Sequence, residues 1–164
     1  MRKIEIIKFD PVLSTEEGKD LLPATGHEDD AGIDCYALEP VSLPAITEGG
    51  DGPKSVCVPL GFGIKMPKRT ILDRILHRYW HAELTSRSSQ NKRGVMVLRG
   101  IIDQSYLGEY IVCLVNLNDY PVRYEKGERI CQILFYKEIK PNCKEIRVLK
   151  KTKRKAGGFG STGK

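Results

Sequence analysis

The stretch that decides the fold is Gly100–Tyr110, GIIDQSYLGEY, together with the apolar run Ile111–Val115 that follows it. Apolar and β-branched residues lie on both sides of a short polar turn that contains Gly108, which is the pattern of a β-hairpin. The hairpin carries two unusual side chains, because Asp103 ends the first arm and Tyr106 follows three residues later at the tip. A carboxylate in an apolar arm is costly to bury unless it is hydrogen-bonded or functional. Asp103 is therefore either a turn-capping residue or part of a site.

The rest of the chain is dominated by short apolar or alternating segments separated by turns. Segments with a strand pattern are 3–9, 31–38, 55–60, 62–66, 80–85 and 129–136. One short helix is predicted at 68–78, because its apolar residues fall at i, i+1, i+4, i+5 and i+8 and form a stripe that we expect to pack on a sheet. This arrangement predicts an all-β sandwich or barrel.

Composition and charge restrict the class of protein. The net charge is +6, which is typical of a solvated basic surface or of a protein that binds nucleic acid or a nucleotide phosphate. No apolar run approaches the roughly 18 residues of a membrane span, and the charged N-terminal segment 1–11 does not resemble a secretory signal. The five cysteines are odd in number and lack a C-x-x-C pair, which argues against a disulfide framework and a thiolate zinc site. We therefore expect a cytoplasmic protein in a reducing compartment.

We expect one domain over residues 1–150, since no internal repeat or boundary interrupts it. Residues 151–164 form a basic, Gly-rich segment that cannot build a core alone. This segment is predicted to be a mobile C-terminal arm unless a ligand or partner orders it.

Five short segments are more specific in residue type than a β architecture requires. They are AGIDCYA (31–37), TSRSS (85–89), GIIDQSYLGE (100–109), KGERICQILF (126–135) and GGFGSTG (157–163). In this order they resemble the five motifs of the homotrimeric dUTP diphosphatase (dUTPase) family, and together they span nearly the whole chain. The resemblance implies a jelly-roll β-fold, a homotrimer with active sites at subunit interfaces, and a C-terminal arm swapped onto another subunit.

The resemblance also implies an activity. Such enzymes hydrolyse dUTP to dUMP and pyrophosphate, which limits uracil in DNA and supplies dUMP for thymidylate synthesis. Asp103 would be the general base for a water that attacks the α-phosphate in line, and Asp34 would reach Mg²⁺ through water. Mg²⁺ prefers phosphate oxygens and waters over a full protein cage. The triphosphate would therefore hold the ion, which agrees with the absence of a visible metal-ligand cluster in the sequence.

Recognition of the base and sugar would fall to the third motif and the arm. A hairpin that opens at its tip presents unpaired backbone groups that can match uracil, whereas cytosine would leave buried groups unpaired. By resemblance, Tyr106 would pack on the deoxyribose and exclude a 2′-hydroxyl, and Phe159 would stack on the uracil ring. The residues whose main chain would contact the base are Gly100, Ile101, Ile102 and Ile111.

Recognition of the phosphates would fall to the second, fourth and fifth motifs. Arg87 offers a planar fork of donors, and with the hydroxyls of Ser88 and Ser89 it has the composition of an anion clamp. Gln132 matches a polar position of the fourth motif near the phosphates. By resemblance, Arg154 would pair with the γ-phosphate. The other contacts of the arm to phosphate would come from Gly160, Ser161 and Thr162.

The chain departs from the family pattern in several places, which include a shorter segment between Ser89 and Gly100 and the residues Cys35 and Tyr36 in the first motif. The Asn often found before the catalytic Asp is missing, with Val97 or Leu98 in its region and Asn91 as a candidate substitute. The segment 68–78 looks like an insertion between two strands. An ion pair between Glu128 and its neighbour Arg129 would be structural.

Two alternatives stay open. The first is a dCTP deaminase, or a bifunctional deaminase and dUTPase, which would need Glu109 as its catalytic acid. The second is a dUTPase-like trimer whose basic insertion or tail binds nucleic acid or a regulatory protein.

Overall fold

Short strands dominate the protein, as the sequence pattern predicts, and the all-β fold class is confirmed. The computed structural model describes residues 4–48 and 52–145. The strands are β1 (Glu5–Lys8), β2 (Ile33–Tyr36), β3 (Val41–Leu43), β4 (Ser55–Pro59), β5 (Phe62–Lys65), β6 (Arg78–Thr85), β7 (Val95–Val97), β8 (Ile101–Asp103), β9 (Ile111–Asn116), β10 (Val122–Tyr124) and β11 (Arg129–Ile139). Besides a 3-10 turn at Pro11–Ser14, the helices are α1 (Glu16–Lys19), α2 (Ile71–Ile75) and α3 (Ser88–Lys92).

The strands pair antiparallel and form layers around one core. The largest sheet has the order β2-β11-β6-β8, a second has the order β4-β9-β7, and β1–β5 and β10–β3 form separate pairs. The largest side chains that are fully buried between them include Phe62, Tyr110, Tyr124 and Ile130. No helix in the described part of the chain exceeds five residues, so none of them could cross a bilayer.

The stretch around Asp103 differs from the predicted hairpin, because its two arms do not pair with each other. β8 pairs with β6, whereas β9 pairs with β4 and β7. Leu98, the residue after β7, still contacts β9, because its backbone N donates a hydrogen bond to Cys113 O (2.8 Å). Beyond that bond the two arms separate into different sheets. Alternation of apolar residues shows which face of an arm is buried but not which strand lies beside it, so the sequence could not show this separation.

The helix predicted at 68–78 is confirmed only over Ile71–Ile75, and its apolar stripe does not pack on a sheet. The stripe is exposed to solvent. Four of its five members are between 38% and 78% exposed, and they are Ile71, Leu72, Ile75 and Leu76. The fifth, Tyr79, lies in β6 and is partly buried.

The side of α2 that faces the protein is defined by Asp73, which is buried. Its carboxylate forms an ion pair with Lys137 of β11 and accepts a hydrogen bond from Thr70 N (3.0 Å), while Thr70 Oγ1 accepts one from Asp73 N (3.1 Å). The bonds from Lys137 and Thr70 lower the pKa of Asp73. This reciprocal cap and a distant lysine fix the rotation of a helix that is too short for hydrophobic periodicity to decide it.

Cysteine pairing also differs from expectation. Cys57 and Cys113 lie directly opposite each other on β4 and β9 and form a disulfide, so the expectation of unpaired cysteines is wrong. The two residues are separated by 56 positions and meet only through strand pairing, which cysteine spacing cannot show. Cys35 and Cys131 are also cross-strand neighbours, but both are buried free thiols. Burial raises the pKa of the Cys35 thiol.

Candidate active site

A cavity of about 340 Å³ opens where β8 and β9 separate, and we call it the base cavity. β8 is the edge strand of its sheet, and the first residues of β9 lie beyond the bonds to β7. Backbone groups of both arms are therefore available to a ligand. The cavity is lined by every described residue that the sequence assigns to the base and sugar, and these are Gly100, Ile101, Ile102, Tyr106 and Ile111. The predicted catalytic carboxylate, Asp103, also lines it.

The turn after Asp103 places the Tyr106 ring beside the cavity. Tyr106 N donates to Asp103 O (3.0 Å), and the Tyr106 hydroxyl donates to Glu109 O (3.0 Å). A Cβ at Gly108 would lie 2.5 Å from the Tyr106 hydroxyl oxygen, so a glycine is needed for the ring to lie across the turn. Tyr106 is nevertheless 47% exposed, so its side chain remains accessible to a ligand.

Sequence reasoning missed several residues of the base cavity. Leu98 lines it in the region where the family's Asn is missing, and Asn91 lies away from it on α3. Tyr110 also lines it, although the side chain is only 1% exposed, and its hydroxyl has no hydrogen-bond partner among the described residues. Burial raises the pKa of Tyr110 to about 12. The sequence did not identify Tyr110 as a cavity residue, because a tyrosine next to a strand is common in a hydrophobic core.

Glu109 contacts the same cavity but is held by the main chain. Its Oε1 accepts a hydrogen bond from Gly61 N (2.8 Å). This carboxylate therefore fixes the turn between β4 and β5, which removes the support for its role as the catalytic acid of a deaminase.

A second cavity, of about 410 Å³, contains the predicted phosphate residues, and we call it the anion pocket. Its centre is Asp34, which is 7% exposed and accepts a hydrogen bond from Arg87 Nε (2.6 Å). Arg129 Nη1 lies 3.3 Å from the other carboxylate oxygen. Arg129 was expected to pair with Glu128, but Glu128 instead accepts a hydrogen bond from Glu125 N (2.6 Å). Arg129 is thus a site residue that the sequence did not reveal.

The other predicted phosphate residues lie around this pair. Ser88 lines the anion pocket, whereas Ser89 lies just outside it and its hydroxyl oxygen accepts from Arg87 Nη1 (3.3 Å). Gln132 lines the pocket and its amide donates to Ser86 O (2.9 Å). A Cβ at Gly32 would lie 2.3 Å from Gln132 Oε1, so the amide packs directly against that backbone.

A buried glutamine, Gln90, fixes the main chain of Arg87 by a hydrogen bond. Gln90 is 2% exposed; its Oε1 accepts from Arg87 N (2.9 Å), and its amide donates to Ile130 O of β11. The start of α3 is thereby tied to the strand that carries Gln132. Nothing in the sequence pattern distinguishes Gln90 from an ordinary polar surface residue.

Within one chain, the two carboxylates predicted to be catalytic lie far apart. Asp34, Gln132 and Thr85 form one cross-strand row, and Asp103 and His81 form another. The rows are four residues apart along β6, and three strand spacings separate β2 from β8. Sheet geometry then puts Asp34 and Asp103 about 20 Å apart. The base cavity and the anion pocket of one chain therefore cannot share one phosphate.

The donor set of the anion pocket fits Mg²⁺ only as an ion shared with a ligand. Asp30 and Asp34 supply hard oxygen donors, but both oxygens of Asp34 already face arginines. No group of three or more His, Cys, Asp or Glu within residues 4–48 and 52–145 could hold a metal. Oxygen donors in this number suit an ion that keeps waters and phosphate oxygens.

The remaining predicted site residues belong to the arm. They lie outside the described residues and are Arg154, Phe159, Gly160, Ser161 and Thr162.

Known proteins are similar to this chain in sequence and in fold. The dUTPase family model matches residues 19–163. The deoxyuridine 5'-triphosphate nucleotidohydrolase of Clostridium tetani is 34% identical over 87% of this chain and 89% of its own length, and that of Pasteurella multocida is 30% identical over 100% and 99%. Among solved structures, the dUTPase of Staphylococcus bacteriophage 80alpha with dUpNHpp has a TM-score of 0.75 at 20% identity, covering 99% of both chains. The EIAV dUTPase has a TM-score of 0.64 at 17% identity, covering 92% of this chain and 100% of its own. The family match over most of the chain, together with relatives above 30% identity, shows that this protein belongs to the dUTPase family.

Proposed function

We propose that the protein hydrolyses dUTP to dUMP and pyrophosphate. The observation that carries this proposal is the base cavity, in which two separated strands expose backbone groups and Asp103 stands at the wall. Membership of the dUTPase family supports the same substrate, since the curated relatives bear the name of this activity.

Selection of the base would come from the main chain of the separated arms. Uracil presents an acceptor at O4 and a donor at N3, which can pair with backbone N–H and C=O groups. Cytosine reverses this pattern and would leave buried polar groups unpaired, at a cost of about 1–3 kcal/mol for each group. Tyr106, whose side chain is accessible, would pack on the deoxyribose and leave no room for a 2′-hydroxyl.

The chemical step would use Asp103 as general base. Its carboxylate takes a proton from a water whose oxygen forms a bond to the α-phosphorus in line with the bond that breaks. The electron pair of the broken P–O bond leaves with pyrophosphate, and dUMP remains. Asp103 ends an edge strand and is exposed, so a water can reach it.

Binding of the phosphates would fall to the anion pocket, where Arg87, Arg129 and Gln132 supply cationic and polar donors. Asp34 would reach Mg²⁺ through water while the triphosphate holds the ion, and Mg²⁺ would neutralise phosphate charge there. On binding, the substrate would compete with Asp34 for the guanidinium groups that now face this carboxylate.

A complete site would need more than one copy of the chain. Because Asp34 and Asp103 of one chain are about 20 Å apart by sheet geometry, the base cavity of one copy would meet the anion pocket of another. This separation supports a homotrimer with interface active sites. The arm residues Arg154, Phe159, Gly160, Ser161 and Thr162 would complete the site from a neighbouring copy. We also propose a cytoplasmic location, where the nucleotide substrate is found.

A hydrolysis assay tests the proposal directly. Pyrophosphate release from dUTP, dCTP, UTP and dTTP is measured for the wild-type protein, Asp103→Asn and the matched control Asp119→Asn, whose side chain is exposed and lines none of the cavities described here. We expect turnover of dUTP alone, and a loss of about 10³-fold in Asp103→Asn with binding of a non-hydrolysable dUTP analogue retained. Ammonia release from dCTP, or full activity of Asp103→Asn, would contradict the proposal.

A further inference from the structure

A third cavity, of about 460 Å³, lies on the other side of Asp103 from the base cavity, and we call it the basic cavity. It exists because β8 stops at Asp103, whereas β6 extends past His81, the partner of Asp103, through Arg78–Trp80. No strand of the described chain pairs with these residues on that edge. The segment 68–78, which the proposed function leaves unused, forms part of the wall through Arg69.

Arg69 is held in place by the first residues of β6 and by α2. Its Nε donates to Arg78 O (2.9 Å), and its Nη2 donates to Asp73 O (3.2 Å). Its guanidinium carbon lies 3.8 Å from the centre of the Tyr79 ring. These contacts orient the guanidinium but use only part of its five N–H donors, so the rest remain for a ligand.

Lys140 supplies a second cation to the same wall. Its Nζ lies 5.8 Å from the centre of the Tyr79 ring, and its backbone N donates to His77 O (3.0 Å), which anchors it to the end of the 68–78 segment. Neither Arg69 nor Lys140 forms an ion pair with any residue in the described ranges, in contrast to Lys137, which pairs with Asp73. The charged side chains that line the cavity are these two cations and the single carboxylate of Asp103, so the cavity carries a net positive charge.

The floor of the basic cavity is the turn that follows Asp103. Gln104 Nε2 donates to Pro67 O (2.7 Å), which fixes this turn to the segment before α2, and Ser105 lines the cavity beside it. A fixed guanidinium, an ammonium group and a hydroxyl are the donors that phosphate oxygens prefer.

We propose that the basic cavity binds a phosphate or polyphosphate anion next to Asp103, through Arg69 and Lys140. The role of this anion in turnover rests on the proposed function, because the cavity shares Asp103 with the base cavity. The phosphate has two sources, the triphosphate chain of the substrate itself or a separate phosphate-bearing ion. Both would contact the same cations.

Binding of inorganic pyrophosphate, followed by calorimetry, tests the site without relying on activity. An Arg87→Gln background removes one of the two arginines of the anion pocket and so lowers the contribution of that pocket to the measured binding. In that background we expect Lys140→Gln to weaken binding about tenfold, the range of a charge-assisted hydrogen bond at a partly exposed site. Arg69→Lys, which keeps the charge but loses the fork, is expected to weaken it severalfold. Arg74→Gln, an exposed arginine of α2 outside the cavity, is the matched control and is expected to have no effect.

A further variant tests whether the bound anion lies next to Asp103. Neutralising the shared carboxylate in Asp103→Asn removes a repulsion of an anion in the cavity. We therefore expect pyrophosphate to bind about threefold more tightly, the size of one charge at a separation of about 6 Å in water. Equal affinities for Lys140→Gln, Arg69→Lys and Arg74→Gln would overturn the proposal.

Steady-state kinetics separates the two sources of phosphate. If the substrate's own chain occupies the cavity, Lys140→Gln raises the KM for dUTP as well as weakening pyrophosphate binding in calorimetry. If a separate ion occupies it, Lys140→Gln weakens pyrophosphate binding in calorimetry and leaves the KM for dUTP unchanged. In both cases the calorimetric loss is what supports the site, and its absence would overturn the proposal. Absence of dUTP hydrolysis by the wild-type protein would reject the proposed function and would leave the calorimetric test of the cavity intact.

Discussion

The base cavity and the anion pocket differ in the chemical groups that line them. The base cavity consists mainly of main chain and apolar side chains, and Asp103 and Glu109 are its charged residues. The anion pocket consists of charged side chains whose positions are fixed by one another, with Asp34 between Arg87 and Arg129. A wall of backbone selects a ligand by shape and hydrogen-bond pattern, whereas a cluster of charges selects by charge and is sensitive to salt. Substitutions in the two sites should therefore change different measured quantities.

Apart from loss of the Asp103 carboxylate, the largest effect is expected at the anion pocket. Arg87→Gln removes the fork that contacts Asp34 and leaves this buried carboxylate with Arg129 alone, so we expect kcat/KM for dUTP to fall about 10²-fold or more. Arg123→Gln, an exposed arginine paired with Glu125, is the matched control and should keep wild-type kinetics. A fall confined to the ratio of dUTP to UTP hydrolysis would show that Arg87 acts on the nucleoside rather than on phosphate.

The base cavity should respond in selectivity instead. Tyr106→Ala removes the ring that would exclude a 2′-hydroxyl, so we expect the ratio of kcat/KM for dUTP to that for UTP to fall about 10-fold to 100-fold. Tyr120→Ala, a tyrosine that is 56% exposed and does not line the base cavity, serves as control. An unchanged ratio would assign exclusion of ribose to another wall.

A pair of glycines compares the two sites in stability. Gly32→Ala places a Cβ 2.3 Å from Gln132 Oε1 and displaces the amide that donates to Ser86 O, so we expect a loss of about 1 kcal/mol in the free energy of unfolding. At Gly100 a Cβ meets no atom within 4 Å, so Gly100→Ala should leave stability nearly unchanged and weaken dUTP binding only. Denaturant titration measures both variants. Equal stability losses would mean that close packing does not distinguish the sites.

The smallest effect is expected at Tyr110, beneath the base cavity. Tyr110→Phe removes a buried hydroxyl that has no hydrogen-bond partner within residues 4–48 and 52–145, and we expect a gain of up to about 1 kcal/mol in stability. Because burial raises the pKa of Tyr110 to about 12, its neutral form is favoured in the folded protein, and this contribution is lost as the pH rises from about 10 through 12. Thermal unfolding between pH 9 and pH 12 should therefore show a smaller alkaline loss in the variant. A destabilised variant would indicate that the hydroxyl has a bound partner in solution.

The sequence predicted local features well and long-range partners poorly. Strands such as Ser55–Pro59 and Phe62–Lys65 follow from alternation around Gly61, which lies at a positive φ of 72°. The pairing of β8 with β6 and the Cys57–Cys113 disulfide depend on segments that are distant in sequence. Periodicity carries no information about such partners.

The candidate site shows the same division. The resemblance identified the motif residues from their order along the chain. Those in the described ranges line or adjoin the base cavity and the anion pocket. Arg129 and Gln90 were missed because their roles depend on contacts with Asp34 and with Ile130, which only the folded chain brings within reach. The rotation of α2 was likewise set by Asp73 and its distant partner Lys137, against the hydrophobic pattern.

The separation of β8 from β9 has a mechanical consequence. One wall of the base cavity belongs to the four-stranded sheet and the other to the three-stranded sheet. A nucleotide bound between them would therefore contact both layers. The disulfide fastens β9 only to β4, within its own layer, and leaves the seam between the layers for the ligand to close. A nucleotide in the cavity would thus bridge the two sheets at a place where the disulfide does not join them.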